Sequence, residues 1–155
     1  MKDSSKRLQM EDYVPYQLAL LSSRLSAALE EVCKREFDIV STEWRVMALV
    51  GQVDSCSASE LVEASTMDAV AIHRAVKRLD ALGYLSRSAA EHDLRVRLLS
   101  LTAEGRKVYR TIVPYAIELQ HQLLQGLAKE DALRFKVTLT QLAREKVDFD
   151  LGARK

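Results

Sequence analysis

Glycine, proline and cysteine are scarce in this sequence, which contains 5 Gly, 2 Pro and 2 Cys among 155 residues. Because glycine and proline are the residues that most often interrupt helices and build turns, their scarcity leaves little room for long irregular segments. The two cysteines, Cys33 and Cys56, are too few and too far apart for a disulfide framework or a zinc cluster. The sequence therefore predicts a protein with free thiols and without a metal or cofactor.

Long apolar runs are absent as well. No stretch of about 18 apolar residues could cross a membrane, and the N-terminal segment MKDSSKRLQMEDY lacks the apolar core of a signal peptide. We therefore expect a cytoplasmic protein. The formal net charge is only +1, so any nucleic-acid site must come from local clustering of Lys and Arg.

Motifs for catalysis are also missing. The three histidines, His73, His92 and His121, are scattered along the chain. The sequence has no H-E-x-x-H motif, no phosphate-binding glycine loop and no nucleophile elbow. We therefore expect a binding protein and not an enzyme.

Apolar residues at helical spacing dominate both ends of the chain. They recur at intervals of three and four residues, which is typical of amphipathic helices. Thr102 can cap one of these helices, and Pro114 inside it is expected to kink it. On the last helix the stripe consists of Ala132, Phe135 and Leu139, followed by Leu142. The predicted ranges of these long helices are about 13–37, 102–126 and 129–147.

Shorter elements fill the middle of the chain. Ser41 or Thr42 can cap a second helix, and Ser57 or Ser59 can cap a short third one. A fourth helix ends at Gly83, since glycine readily takes the left-handed conformation that ends helices. Two extended segments with a polar stretch between them then predict a β-hairpin. The predicted ranges are Glu43–Val53, Ser59–Ala64 and Met67–Leu82 for the helices, and Tyr84–Arg87 and Arg95–Leu101 for the strands.

This order of elements predicts the fold class. A short helix, a tight turn and a longer helix followed by a hairpin is the order of a winged helix-turn-helix. We therefore expect a mainly α protein with a small β-hairpin wing. The long helices at both ends carry more apolar surface than such a small lobe can bury alone.

The fourth helix has two contrasting faces when its residues are placed at about 100° each. Small or apolar residues and a bidentate Arg near the N-terminus of a helix suit base edges, and cations further along suit phosphates. The side expected to face the core carries Ile72, Ala75, Val76, Leu79 and Leu82. The side expected to face DNA carries Val70, His73, Arg74 and Lys77, with Ala71 and Arg78 on its flank. Of these, Arg74 is assigned to a guanine, and Lys77 and Arg78 are assigned to phosphates.

Positive charge is concentrated in this helix and in the hairpin. Residues 66–107 contain eight Lys or Arg and five Asp or Glu, an excess of three positive charges, while the whole chain carries +1. The alternative interpretation is that the basic residues of the fourth helix form an ordinary solvent-exposed face, since Lys and Arg are mostly exposed in proteins. Clustering at both helix and hairpin favours duplex DNA. The candidate residues of the hairpin are Arg87, His92, Asp93, Arg95 and Arg97.

Several segments resemble the MarR family, the multiple antibiotic resistance regulators. DLRVRLLSLTAEG, Asp93–Gly105, is similar to that family's D-x-R…L-x-L-T-x-x-G signature in the wing. MDAVAIHRAVKRLDALGYLSR is similar to its recognition helix running into the first wing strand. EWRVMALV and GLAKEDALRFKVTLTQL are similar to its second helix and its C-terminal dimer helix. The resemblance covers about residues 13–147 and implies a winged helix-turn-helix transcription regulator.

The resemblance also implies roles for individual residues. Arg95 matches the wing arginine that the family inserts into the minor groove, and Asp93 matches the acidic residue that holds the wing through a charge pair. The segment Val70–Arg74 matches the base-reading turn. The chain departs from the family at Leu94, where a second basic residue is common, and at His73, where a small hydroxyl residue is common. We therefore expect modest wing affinity and a base preference of its own.

The resemblance further implies a homodimer. Family members bury their apolar terminal helices by packing the first, fifth and sixth helices against those of a twin. A two-fold dimer presents two reading helices, so the target should be a pseudo-palindrome with half-sites about 34–36 Å apart. The predicted organisation is a single domain over residues 1–155, with a DNA-binding lobe at about 40–101 and dimerisation helices at about 13–37 and 102–147.

Family resemblance implies a small-molecule effector, often an anionic aromatic compound, bound between the dimer helices and the lobe. An arginine beside an aromatic wall suits an aromatic carboxylate, because Arg pairs with carboxylates in a fork. The alternative interpretation is that these apolar and aromatic residues belong to the hydrophobic core and that the arginines lie on the ordinary surface. The function predicted from the sequence is thus a ligand-released repressor; a response to thiol oxidation and a role in protein contacts are the alternatives. The candidate pocket residues are Tyr16, Leu20, Arg24, Trp44, Arg45 and Met47.

Overall fold

A computed structural model describes residues 7–90 and 95–145 of the chain. Over these residues it contains six α-helices and three short strands, so the predicted mainly α fold with a small β wing is confirmed. The chain divides into two compact units, residues 1–117 and 118–155. None of the helices in the described ranges combines the length and hydropathy that crossing a membrane requires.

The first long helix, α1, spans Val14–Phe37 as predicted and follows a 3₁₀ turn at Met10–Asp12. Pro15 lies in its first turn, where the missing N–H leaves no acceptor unpaired. The helix ends at Asp38, which has a left-handed backbone with φ 55°. Only Cys33 of α1 is buried, and apolar residues of its first half such as Leu18 and Leu21 stay exposed.

The second helix, α2, spans Ser41–Gly51, so the predicted cap at Ser41 or Thr42 is wrong. The helix begins two residues earlier because the Glu43 carboxylate accepts the Val40 N–H at 2.8 Å. Glu30 of α1 accepts the Ser41 N–H at 2.6 Å in addition. Carboxylates therefore satisfy two of the free backbone donors at the start of the helix without an N-cap hydroxyl.

The helix-turn-helix consists of α3, Ala58–Ala64, and α4, Ala69–Ala81. The Ser57 hydroxyl accepts the Glu60 N–H at 3.2 Å, which confirms the predicted cap of α3. Helix α4 begins two residues later than predicted because Asp68 caps it, accepting the Ala71 N–H at 2.8 Å. It ends as predicted before Gly83, which has φ 75°.

The wing is part of a three-stranded antiparallel sheet rather than a hairpin alone. Strands β2, Leu85–Ala89, and β3, Arg97–Leu101, form the predicted hairpin, with Leu85 opposite Leu101. The additional strand β1, Cys56–Ser57, pairs with β3 and gives the order β1-β3-β2. Strand β3 begins at Arg97 and not at Arg95 as predicted. The wing tip, residues 91–94, lies outside the described residues.

One hydrophobic core holds these elements together. The sixteen buried hydrophobic residues of the described chain lie between Cys33 and Ile112. Ile72, Val76 and Leu79 supply the buried side of α4, as the spacing predicts. Burial of one such side chain contributes about 1.5–3 kcal/mol. The core therefore fixes α4 against the lobe and leaves its opposite side in solvent.

Helix α5 spans Ala103–Leu124, and the Thr102 hydroxyl caps it by accepting the Gly105 N–H at 3.0 Å. The same hydroxyl donates to the Gly83 carbonyl at 2.6 Å, which ties the end of β3 to the end of α4. Gly105 packs so closely on Tyr84 that a β-carbon there would lie 2.0 Å from the Tyr84 carbonyl oxygen. Pro114 lies inside α5, and the kink expected there stays a prediction.

The second unit, residues 118–155, contains the end of α5 and the last helix, α6, which spans Lys129–Arg144. The helix ends at Arg144 and not at the predicted Val147, because Glu145 takes an extended backbone. No described residue of α6 is buried. Its stripe residues Leu139 and Leu142 are 40% and 57% exposed in the single chain.

Candidate nucleic-acid interface

Helix α4 presents a cationic face to solvent opposite its buried side. Arg74 and Lys77 are exposed, as is His73, and Val70 near the first turn has 68% of its surface in solvent. The Asp68 cap starts the helix at Ala69, one residue before Val70, so these residues lie on its first three turns. This arrangement places apolar and bidentate groups near the N-terminus, where base edges of a major groove are contacted.

Arg78 has different surroundings from those predicted. Its guanidinium is bonded to the Asp38 carboxylate and donates to the Asp38 carbonyl at 3.3 Å. Its Nε lies 3.9 Å from a carboxylate oxygen of Glu43. A hydrogen bond from Lys34, together with that from Arg78, lowers the pKa of Asp38. Arg78 thus faces the corner between α1 and α2, and the structure does not place it with Arg74 and Lys77.

Arg87 of β2 is also paired within the chain. Its Nε lies 3.0 Å from the Asp80 carboxylate on α4. The two side chains line a cavity of about 580 Å³ between the helix and the wing, and His73 and Lys77 line it as well. Two of the predicted α4 residues and one predicted wing residue are therefore brought to a single concave surface.

Two of the remaining wing candidates lie at the start of the second wing strand. Arg97, the first residue of β3, and Arg95, just before it, are exposed. The predicted residues His92 and Asp93 fall outside the described residues. At the base of the wing, the hydroxyls of Ser86 and Ser100 are 2.9 Å apart and join the two strands.

The predicted effector residues are only partly gathered. Trp44 and Arg45 line a cavity of about 440 Å³ that Ser22 and the residues between α3 and α4 complete. Trp44 stacks on Tyr109, with ring centroids 5.9 Å apart. Met47 is fully buried in the core and is absent from the lining. The α1 candidates Tyr16, Leu20 and Arg24 are exposed and do not line this cavity either.

Sequence patterns alone missed the acidic partners of the two arginines. Asp38 lies forty residues before Arg78 and has no periodic relation to it, so only the fold brings them together. Asp80 and Arg87 are close in sequence, and an acid at the end of a helix beside a basic strand residue is the signal that could have identified that pair.

Both thiols are poorly suited to sensing oxidants. Burial raises the pKa of Cys33 to about 11, and burial also raises the pKa of Cys56, with nearby glutamates adding to both shifts. Because the thiolate is the reactive form, a raised pKa makes a cysteine inert near neutral pH. The alternative of a response to thiol oxidation therefore loses support.

Comparison with known proteins connects this geometry to a family. A sequence model described as the MarR family matches residues 37–95, which contain α2 through β2. The uncharacterized HTH-type transcriptional regulator YwoH of Bacillus subtilis (strain 168) is 27% identical over 114 residues. The match covers 74% of this chain and 82% of the relative.

Solved structures share this fold over most of the chain. A probable transcriptional regulator from Pseudomonas aeruginosa superimposes with a TM-score of 0.74 at 26% identity, covering 86% of this chain and 99% of the other. BpsR of Bordetella bronchiseptica, whose DNA binding is regulated by 6-hydroxynicotinic acid, gives a TM-score of 0.79 at 20% identity, covering 90% and 99%. At that identity the second likeness is one of fold. The match of the family model to the helix-turn-helix and the first wing strand, the sequence relatives and the shared fold together support a winged-helix transcription regulator of the MarR family.

Proposed function

We propose that the chain is a repressor that binds a pseudo-palindromic duplex operator as a homodimer and is released by a small, anionic aromatic molecule. The exposed face of α4 carries this proposal. Arg74 and Lys77 point away from the core and flank an apolar Val70, so the helix offers base-edge contacts near its start and phosphate contacts one turn later. Arg95 and Arg97 extend the cationic surface into the wing.

Support for a homodimer comes from the terminal helices. Leu18 and Leu21 of α1 and Leu139 and Leu142 of α6 are exposed in the single chain, although their spacing is that of a buried stripe. A monomer rarely exposes large contiguous apolar surface, and such surfaces mark sites of association. A two-fold dimer would bury both stripes and present two copies of α4 to successive major grooves.

Support for an effector comes from the cavity beside α2. Trp44 supplies an aromatic wall held by stacking on Tyr109, and Arg45 supplies a guanidinium at the rim. The Arg45 guanidinium donates to the Ser26 hydroxyl at 3.2 Å, which leaves other donors of its fork for a carboxylate. The lining residues Ser65, Thr66 and Met67 lead directly into α4, so a bound molecule would contact the turn that positions the recognition helix.

Duplex binding at graded salt concentrations tests the proposal. The wild-type chain is used to select a sequence from a random duplex pool, and its affinity is compared with that for a scrambled duplex. Because each phosphate contact releases a counterion, we expect affinity to fall steeply between about 50 and 200 mM salt and selected sites to be palindromic. Arg95→Ala should weaken this binding with a stability change within about 0.5 kcal/mol. Absence of any enriched sequence, with weak binding even at low salt, would overturn the proposal.

A further inference from the structure

The exposed face of α4 is bordered on both sides by charged residues with partners in other elements. At about 100° per residue, Val70, Arg74 and Lys77 lie near the centre of that face. Arg78 lies on one flank and Asp80 on the other. On each flank, a residue of another element can therefore fix the orientation of α4.

On the first flank, the Arg78 guanidinium meets the carboxylates of Asp38 and Glu43. Asp38 ends α1 in a left-handed conformation, with its N–H donating to the Lys34 carbonyl at 3.2 Å. Glu43 has only 11% of its side chain exposed and accepts the Val40 N–H. Because the Glu43 carboxylate is anchored by this hydrogen bond and the Asp38 carboxylate is paired with Lys34 as well, the guanidinium links α4 to the corner between α1 and α2.

On the second flank, Asp80 is held by Arg87 of the wing strand β2. The strand itself is paired with β3, with Arg87 opposite Leu99, so the guanidinium projects from a fixed sheet. A carboxylate at this place lies at the edge of the cavity shared with His73 and Lys77, where it repels phosphates. Direct attraction to DNA therefore does not explain why Asp80 lies at this position.

We propose that Arg78 and Asp80 are positioning residues, which hold α4 between the α1–α2 corner and the wing so that Arg74 and Lys77 meet the operator in one orientation. This proposal rests on the proposed function, in which α4 contacts the operator. It replaces the phosphate contact that the sequence predicts for Arg78. Positioning favours the selected operator over other duplexes, because base contacts require a fixed helix while general attraction to phosphates does not.

Asp80→Asn gives a test in which the two explanations predict opposite signs. Removing a negative charge beside phosphates should by electrostatics alone strengthen binding to every duplex. If Asp80 positions the helix, affinity for the selected operator falls while affinity for the scrambled duplex stays equal or rises. From the usual strength of exposed ion pairs, with two copies per operator, the ratio of the two affinities should fall about 2- to 30-fold.

Glu104→Gln is the matched control for this variant. Glu104 is an exposed carboxylate on α5 whose ion pair with Lys107 spans 3.9 Å and joins two residues of the same helix. The substitution Glu104→Gln removes one negative charge and changes no residue of α4. The ratio of operator to scrambled affinity should be that of the wild type.

Arg78→Met tests the other flank, because it keeps the aliphatic stem and removes the charge. A positioning residue lowers the ratio of affinities and leaves the salt slope unchanged, whereas a phosphate contact lowers both affinities alike and reduces the slope by about one per half-site. Asp38→Asn tolerates the left-handed backbone, should reproduce the effect of Arg78→Met, and should not add to it. If Arg78→Met unfolds in circular dichroism, Asp38→Asn alone carries this test.

The outcomes separate the two proposals. Operator affinity that rises or stays unchanged in Asp80→Asn, or a reduced salt slope in Arg78→Met, would overturn the positioning role. Failure of the wild-type chain to enrich any duplex would instead overturn the proposed function itself. A loss of operator preference in both flank variants, with the control unchanged, is the expected result of binding measurements on the full chain.

Discussion

The winged lobe and the terminal helices differ in how they treat apolar residues. In the lobe, Ile72 and Leu79 of α4 and Leu99 of β3 are almost completely shielded from solvent by the same chain. On α6, by contrast, Leu133 and Leu142 remain more than half exposed. Both regions nevertheless show apolar residues at regular spacing in the sequence.

The difference shows that periodicity identifies an apolar stripe without identifying its partner. The lobe has enough elements to enclose its own core, because three helices and a sheet surround each other. An isolated amphipathic helix has no such enclosure and gains stability mainly from packing its apolar face. Under the proposed homodimer, the second copy supplies that packing for α1 and α6.

The largest effect is expected from Leu139→Asp on α6. A carboxylate at an apolar subunit contact would be buried without a partner, which costs several kcal/mol or prevents association. We expect monomers at micromolar concentration in sedimentation analysis. Gln141→Asp is the control, since it adds the same charge to an exposed polar position of the helix. A variant of wild-type mass and stability would show that this stripe faces elsewhere.

Two glycine substitutions test whether the winged lobe is more tightly packed than the terminal helices. In Gly105→Ala the new β-carbon would overlap the Tyr84 carbonyl, 2.0 Å away, so backbone must shift at the junction of wing and α5. We expect destabilisation of at least about 3 kcal/mol, the upper range for overpacking. Gly126→Ala meets no atom within 4 Å and should change stability by about 1 kcal/mol or less. Equal unfolding midpoints in urea would contradict this contrast.

Within the lobe, Arg74→Ala and Lys77→Ala should separate base reading from phosphate contact. Loss of a bidentate base contact costs about 1–3 kcal/mol and relaxes preference at one base pair per half-site. Loss of a phosphate contact weakens all duplexes alike and reduces the salt slope by about one per half-site. Affinities for all single-base variants of the selected operator provide the measurement. A uniform loss in Arg74→Ala would transfer the reading role to His73 or Val70.

The smallest effect is expected for the thiols. With its pKa raised to about 11, Cys33 holds almost no thiolate at pH 8, and it is fully buried. Its alkylation by iodoacetamide at pH 8 should be much slower than in urea-unfolded chain, and peroxide should leave duplex affinity unchanged. Rapid modification of Cys33 in the folded protein, followed by loss of binding, would restore the redox alternative.

Most of the fold could be predicted because it depends on local signals. Ser57, Thr102 and Gly83 end or begin elements through their own side chains or backbone, and each prediction is confirmed. The start of α2 was missed because the capping group, Glu43, lies inside the helix rather than before it. Strand β1 was missed because two residues carry no periodicity, and only pairing with β3 defines them.

The site could be predicted as a surface but not as a set of contacts. Burial of Ile72 and Val76 follows from spacing, and it determines which residues of α4 face solvent. The partners of Arg78 and Arg87 depend on tertiary distances that no short-range pattern contains. For the same reason, spacing could not show that Met47, a predicted pocket residue, is fully buried and absent from the lining of the cavity beside Trp44.

Ser57 belongs to two elements at once. It pairs with Leu98 of β3 as part of the sheet, and its hydroxyl caps α3. No residue separates β1 from α3, so the wing sheet and the first turn of α3 are joined through Ser57 itself. Under the proposed function, the wing and the helix-turn-helix would therefore meet the minor and major grooves as one unit, and duplexes whose twist matches that spacing would be favoured.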